Sequence, residues 1–275
     1  MTEQFERVGR YVDVQGAPAY YEACGTGPAV LCIHSAGTSS MLYRHTLPSL
    51  AARGFQVVAV DLPGHGKSIP LNWEPVNDVH DYAEWIMEFC SRVGLDRPVV
   101  IGTSIGGNIV LDLAVHHSGE LAAVAAFEGA AYTPTFPGAG TLQEPHAVSW
   151  ESNADAVAPA AVRPDATPEQ LSEISWLHTA GSQRYYANDL IGWDKQDLRE
   201  RLHEIDVPVL LAVGAGDWFL PEEYVADTAA GIAGATYLKL DRLGHWPPWE
   251  DPERVNQLLV DFLGEHGISP ALNKG

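Results

Sequence analysis

Positive charge is scarce in this chain. Its 275 residues carry 16 Lys and Arg against 36 Asp and Glu, a formal net charge of −20 at pH 7. That balance excludes a nucleic-acid partner, whose phosphates must be met by Lys and Arg, and it disfavours an anionic membrane surface. Cysteine is scarce too. Cys24, Cys32 and Cys90 are odd in number and show no metal-site spacing. Cys32 lies in an apolar run and Cys90 on an apolar helical face, so both read as small buried hydrophobes. The lack of a disulfide framework fits a reducing compartment. No apolar run approaches a membrane span, and the polar, acidic start from Met1 to Glu6 lacks the pattern of a secretory signal. A cytoplasmic protein is the expectation. A phosphate-binding Gly loop, a dinucleotide fingerprint and a His-Glu-x-x-His pair are all missing, and His116 and His117, adjacent on a helix, point apart. No cofactor and no metal is therefore expected.

What is present is a run of short apolar segments. Residues 8–14 and 18–23 alternate in polarity and end in glycine-rich turns, as a hairpin or two edge strands would. Residues 29–33, 55–60, 98–102, 122–127 and 207–213 are almost continuously apolar, the mark of strands buried on both faces. Helical spacing fills the gaps: Val79, Tyr82, Ile86, Phe89 and Val93 within 77–93, then 105–116. Near the end, Asp251 caps a helix with Pro252 at its first position and Val255, Leu258, Leu259 and Phe262 along its buried stripe. Strand-helix alternation of this kind predicts an α/β fold with a mostly parallel, doubly wound sheet. Residues 130–205 break the rhythm. A Pro-, Gly- and Ala-rich stretch precedes Thr167-Pro168-Glu169-Gln170, which reads as a capping box. The expected organisation is a core of residues 1–129 and 206–275 with an inserted helical lid, 130–205.

The strongest local signal is Gly102-Thr103-Ser104-Ile105-Gly106, directly after a buried strand and opening a helix. A serine on such a tight turn exposes its hydroxyl above the sheet, and the helix N-terminus offers N–H groups to developing negative charge. A serine hydroxyl needs a base, and the base needs an orienting carboxylate. The chain order nucleophile, acid, histidine is met by Ser104, Asp217 and His245. Asp217 leaves a buried strand in Gly214-Ala215-Gly216-Asp217, and His245 precedes the last helix in Leu243-Gly244-His245-Trp246. Ile33-His34-Ser35-Ala36-Gly37 follows an early strand, so the N–H groups of Ala36 and Ile105 are the candidate oxyanion hole. His34 is read as holding that loop, and Asp61 as fixing the turn that runs to Ser68. Glu128, ending a buried strand, is a rival acid.

These motifs together resemble the α/β-hydrolase superfamily over roughly residues 18–266. The resemblance implies the α/β-hydrolase fold and a Ser-His-acid triad. It leaves the substrate open among esterases, lactonases, carbon-carbon bond hydrolases and cofactor-free haloperoxidases. Two departures stand out. Ser35 occupies the position where the loop usually has glycine after histidine, so Ser35 either tightens the loop or faces the site. Glu128 stands where sequences resembling zearalenone lactonases place their triad acid. The run Gly244 to Glu250 resembles hydrolases of meta-ring-fission products, but their Gly-rich loop is missing here.

The expected function is a serine hydrolase cleaving an ester or lactone of a moderately large, apolar or aromatic small molecule. The rivals are a carbon-carbon hydrolase of meta-cleavage-type diketones and a triad-bearing ligand sensor. Trp150, Trp176, Tyr185, Tyr186, Trp193, Trp218 and Trp246, together with Ser35, are candidates for the pocket wall, and Arg184 for a substrate carboxylate. The partner is expected to be a small molecule, with neither nucleic acid nor membrane; the oligomeric state is left open, a homodimer among the options.

Overall fold

Every one of the apolar runs becomes a strand of a single sheet. The structure, a computed structural model, describes residues 6–135 and 150–270, with side chains from residue 155 onward in the second stretch. The strands are β1 (Val8–Val14), β2 (Ala17–Cys24), β3 (Ala29–Ile33), β4 (Gln56–Val60), β5 (Val99–Thr103), β6 (Ala123–Phe127), β7 (Val209–Gly214) and β8 (Thr236–Leu240). Their spatial order is β1-β2-β4-β3-β5-β6-β7-β8. β1 and β2 form the antiparallel hairpin, β2 meets β4 antiparallel, and the six strands from β4 to β8 run parallel.

The pleat sorts each central strand onto two faces. Leu31, Ile33, Val58, Val60, Val100, Val124, Leu211 and Val213 point into one apolar layer. Val30, Cys32, Val57, Ala59, Ile101, Ala125, Leu210 and Ala212 point into the other. Helices cover both. α1 (Thr46–Ala51), α2 (Val79–Val93) and α3 (Ile105–His117) lie in the first half of the chain. α2 shows its stripe on the first layer, is capped by the Asp78 side chain and stops at Gly94, in the left-handed region at φ 75°. α3 is buried almost all round, as its sequence from Ile105 to Val115 requires.

The segment between β6 and β7 carries α4 (Trp150–Ala160), α5 (Pro168–Thr179) and α6 (Gln183–Lys195). Thr167 and Gln170 form the expected reciprocal cap on α5. α7 (Glu222–Gly231), α8 (Pro247–Glu250) and α9 (Pro252–Glu265) complete the chain, with Asp251 capping α9 through the Arg254 N–H. Among the described residues no helix is long and apolar enough to cross a membrane.

Candidate functional site

Ser104 sits between β5 and α3 at φ 58°, ψ −123°. A left-handed φ at a residue with a side chain costs on the order of 1–3 kcal/mol and persists only where its surroundings enforce it. Here they do. The Ser104 N–H donates to the Phe127 carbonyl at 2.8 Å, and the Ser104 carbonyl accepts from the Asn108 N–H at 3.1 Å. A Cβ on Gly102 would lie 2.1 Å from the Gly106 carbonyl oxygen, and one on Gly106 would lie 2.3 Å from that of Ile33. Side chains at either position would force the turn open.

The loops after β7 and β8 bring the next two groups together. His245 Nδ1 donates to Asp217 Oδ2 at 2.7 Å, with both side chains buried. Nε2 is thereby the nitrogen left for Ser104, which walls the same cavity. Burial alone would raise the Asp217 carboxyl, but the His245 charge and hydrogen bond, a hydrogen bond from Glu128 and the Phe219 N–H bring it below its ordinary value. Glu128 goes the other way. Full burial, the Asp217 charge and the Asp217 hydrogen bond raise its carboxyl well above its ordinary value, which favours the protonated form. Its Oε1 accepts from the Gly214 N–H, while it is Asp217 that carries the bond to His245. The histidine loop has a further brace. The buried Glu250 accepts from the N–H groups of Gly244, Trp246 and Arg163 at 2.8–2.9 Å.

The loop after β3 is fixed from several sides. The Leu62 N–H donates to His34 Nε2 at 3.0 Å, which puts the ring proton on Nδ1 for the Ser35 carbonyl at 2.8 Å. Burial pushes His34 down to about 3, so it is a neutral strut. Asp61 takes the N–H groups of Ser40 and Lys67, both at 2.7 Å. Ser35 needs no left-handed backbone, for Gly37 supplies it at φ 65°. The Ser35 hydroxyl instead accepts from the Trp246 indole N–H at 3.2 Å.

One anchor comes from the inserted segment. Asp189 of α6 accepts from the Gly37 N–H at 3.2 Å, from His65 Nε2 at 2.8 Å and from the Tyr82 hydroxyl at 2.7 Å, all buried. Burial lowers the His65 imidazole, but the charge and hydrogen bond of Asp189 outweigh it and raise the net value above 6.5. Its Nδ1 also lies 3.2 Å from the Pro63 carbonyl, so both ring nitrogens meet acceptors, an arrangement that favours the protonated ring beside the carboxylate. Removing one partner of such a pair strands the other, so Asp189→Ala should lose about 3–5 kcal/mol of stability. The wild type should also lose stability as the pH climbs from 6.5 through the raised folded value. Thermal unfolding across that range is the measurement, and an Asp189→Ala curve parallel to the wild type's would refute the pairing.

The cavity over Ser104 is walled by Ser35, Ala36, Ile105, Phe219, His245 and Trp246 from the loops and α3. Val157, Ala158, His178, Tyr186, Leu190 and Trp193 close it from α4, α5 and α6. The structure thus brings Ser35, Ala36, Ser104, Ile105, Tyr186, Trp193, His245 and Trp246 into one site, with Asp217 and Glu128 behind His245. Three expected wall residues are corrected. Trp176 is 57 % exposed on the outer side of α5, since Ile174, Leu177 and His178 take the inward face. Trp218 is half exposed, its indole N–H on the Ala160 carbonyl, and its neighbour Phe219 takes the inward place. Arg184 points outward to Glu74 and the Trp73 carbonyl, so it does not reach a substrate. Tyr185 packs over His65 and Gly64 instead of lining the cavity, and the Trp150 side chain lies outside the described residues. Sequence reasoning missed Asp189, His178, Phe219 and Glu250. A polar residue inside an apolar helical stripe was the signal available for Asp189 and His178.

Among the described residues, two groups of side chains have the composition of a metal site, each with its potential ligand atoms within 4.8 Å of one another. In the first, Glu128, Asp217 and His245, the His245–Asp217 hydrogen bond already engages the ring and the carboxylate. In the other, Asp112 Oδ1 accepts from His80 Nδ1 at 2.8 Å, His116 Nδ1 bonds the Asp112 backbone carbonyl at 3.0 Å, and the Arg201 guanidinium occupies the far nitrogen of His116. His116 meets His80 of α2 and His117 bonds Glu84 of the same helix, which spacing along one helix could not reveal.

This elbow, the acid-histidine pair and the sheet order define a class. The family model of the alpha/beta hydrolase family matches residues 30–258, and the chain belongs to that family. Among curated proteins, the 2-hydroxy-6-oxo-6-phenylhexa-2,4-dienoate hydrolase of Comamonas testosteroni is 24 % identical over 281 residues, covering 95 % of this chain and 96 % of the relative. A 2-hydroxy-6-oxononadienedioate/2-hydroxy-6-oxononatrienedioate hydrolase of Paraburkholderia phymatum is 26 % identical, covering 90 % and 91 %. The fold is shared with an enol-lactonase from Burkholderia xenovorans at TM-score 0.85 and 24 % identity, covering 93 % of this chain and all of that one. An esterase from Exiguobacterium antarcticum also reaches TM-score 0.85, at 20 % identity, covering 94 % and 100 %. The chain is a hydrolase at the level of its family.

Proposed function

We propose that the protein is a serine hydrolase that cleaves a neutral, largely apolar carboxylic ester or lactone. The observation that carries this reading is the cavity wall. Aliphatic and aromatic side chains dominate it, and among the described residues that form it there is neither Lys nor Arg. A buried carboxylate on the substrate would go without an ionic partner, and an unpaired charge taken out of water is costly.

His245 Nε2 takes the Ser104 proton, and the alkoxide attacks the substrate carbonyl. The N–H groups of Ala36 and Ile105 meet the oxyanion, and Asp217 stabilises the imidazolium. His245 then protonates the leaving oxygen. Water, deprotonated by the same histidine, attacks the acyl-enzyme and releases the acid. The insertion, 130–205, serves as the lid that shields the acyl-enzyme.

The named activities of the sequence relatives favour a second reading, carbon-carbon cleavage of a dienoate. Fluorophosphonate labelling of Ser104 followed by a matched substrate panel separates the two. Neutral aryl and alkyl esters and lactones should exceed dienoates in kcat/KM by about 100-fold or more, the scale set by an unpaired buried charge. A dienoate that wins by a similar margin would install the carbon-carbon reading, and labelling without turnover of either class would point to a ligand sensor.

A further inference from the structure

His178 is the one polar side chain that α5 contributes to the cavity wall. It is buried, and it stands edge-on to Trp246 with ring centroids 5.1 Å apart. Its Nδ1 lies 2.9 Å from the Ile174 carbonyl, one turn back along α5. A carbonyl can only accept, so Nδ1 carries the ring proton and Nε2 is a bare lone pair. Burial, with the His245 charge adding to it, pushes the imidazole down to about 4, so the ring is neutral at physiological pH. The cavity thus contains a hydrogen-bond acceptor of fixed tautomer. A packing role alone would be met by an apolar side chain without desolvating a ring nitrogen.

A second wall residue carries the complementary group. The Trp193 indole N–H, on α6, is buried and has no hydrogen-bond partner among the described residues. A buried donor and a tautomer-locked acceptor both face a ligand's polar atoms better than an alkyl chain.

We propose that His178 is a specificity-determining residue whose Nε2 accepts a hydrogen bond from the substrate, which is therefore an ester or lactone bearing a hydroxyl or amide N–H beside its apolar body. An amide satisfies the site best, since its N–H serves His178 and its carbonyl serves Trp193. The inference rests on the serine-hydrolase reading and narrows its substrate class. It also explains how a cavity without a cation selects among neutral molecules: a site built to bond a hydroxyl or N–H discriminates against the analogue that lacks it.

The test uses 4-nitrophenyl esters of one acyl length, carrying near the carbonyl a hydroxyl, an amide N–H or neither. The wild type should favour a donor-bearing ester by about tenfold or more in kcat/KM. His178→Phe keeps an aromatic ring and removes the acceptor, so it should bring the ratio between donor-bearing and plain esters to about one, with thermal unfolding confirming that the variant is folded. His178→Gln, which can still present a carbonyl oxygen, should restore part of the ratio. Trp193→Phe should reduce the preference for the amide ester and spare that for the hydroxy ester. Equal slowing of all three esters in His178→Phe would overturn the proposal, as would a wild type indifferent to the donor. Failure of the underlying reading has a different signature, in which Ser104 resists fluorophosphonate and no ester is turned over.

Discussion

Ser104→Ala should reduce ester turnover by about 10⁶-fold and abolish fluorophosphonate labelling while leaving the protein folded. The size follows from what is lost. Without the hydroxyl, His245 has no nucleophile to deprotonate, and only the substrate-positioning and oxyanion-binding effects remain, which give a residual acceleration over water. Folding should survive, and even improve slightly. Ser104 is held at φ 58° by its hydrogen bond to Phe127 and by the glycines around it, and alanine makes the same backbone bonds with a smaller side chain. Active-site titration with the fluorophosphonate, single-turnover kinetics and thermal unfolding form the measurement. Ester turnover near the wild-type rate in the folded variant would refute the mechanism.

Asp217→Asn should cost about 10⁴-fold, and Glu128→Gln less than about tenfold. The two acids are neighbours, yet their environments split them. Asp217 is drawn below its usual range and bonds His245 Nδ1 at 2.7 Å, so it is the anion that the imidazolium needs. An asparagine there cannot carry that charge, and it can turn an N–H toward Nδ1 and reverse the tautomer. Burial and the Asp217 charge raise the Glu128 carboxyl well above its ordinary value and so favour its protonated form. Glutamine reproduces the protonated acid: an oxygen for the Gly214 N–H and an N–H for Asp217.

The pH dependence gives an independent reading of the same pair. A carboxyl raised on folding binds its proton more tightly in the native state, so stability falls as the pH rises from 4.5 toward the folded value. The groups facing Glu128 are Asp217, Glu250 and, on β8, Tyr237, whose phenol is itself raised to about 12 by burial first, then by Glu222 and Glu128. Glu128→Gln should remove that slope from the wild-type stability curve. A large rate loss in Glu128→Gln, with Asp217→Asn the milder variant, would exchange the roles of the two acids.

The parallel strands β3 to β7 were legible because each is buried on both faces, so composition alone marked them; the caps at Thr167 and Asp251 were legible because side chain and backbone are local partners. The serine elbow was legible for a similar reason, as strand, turn and helix are contiguous. The short helices α1 and α7 escaped notice because six to ten residues give little periodicity. Trp176 and Trp218 misled because an aromatic residue announces no direction, and direction was set by the face that α5 turns inward and by the Trp218 indole bond to Ala160. Arg184 misled by charge alone, when its partner was Glu74, 110 residues away in sequence. Asp189 stood out only as a polar residue in an apolar stripe, and the partners of Asp189 and Glu250 could not be read. Each serves backbone N–H groups, at Gly37 and at Gly244 and Trp246, which leave no trace in residue type.

Asp189 belongs to the insertion, but the loop it bonds at Gly37 and the turn it bonds at His65 belong to the sheet. Recombination between relatives is therefore not free at the obvious seams. A chimaera that receives a foreign segment between β6 and β7 inherits His65 with no counterion and Gly37 with a vacant N–H, whatever substrate the donor segment was chosen for. Such hybrids should be built with the α6 carboxylate retained, or with His65 and Tyr82 exchanged together with the segment, so that the pair travels as one hereditary unit.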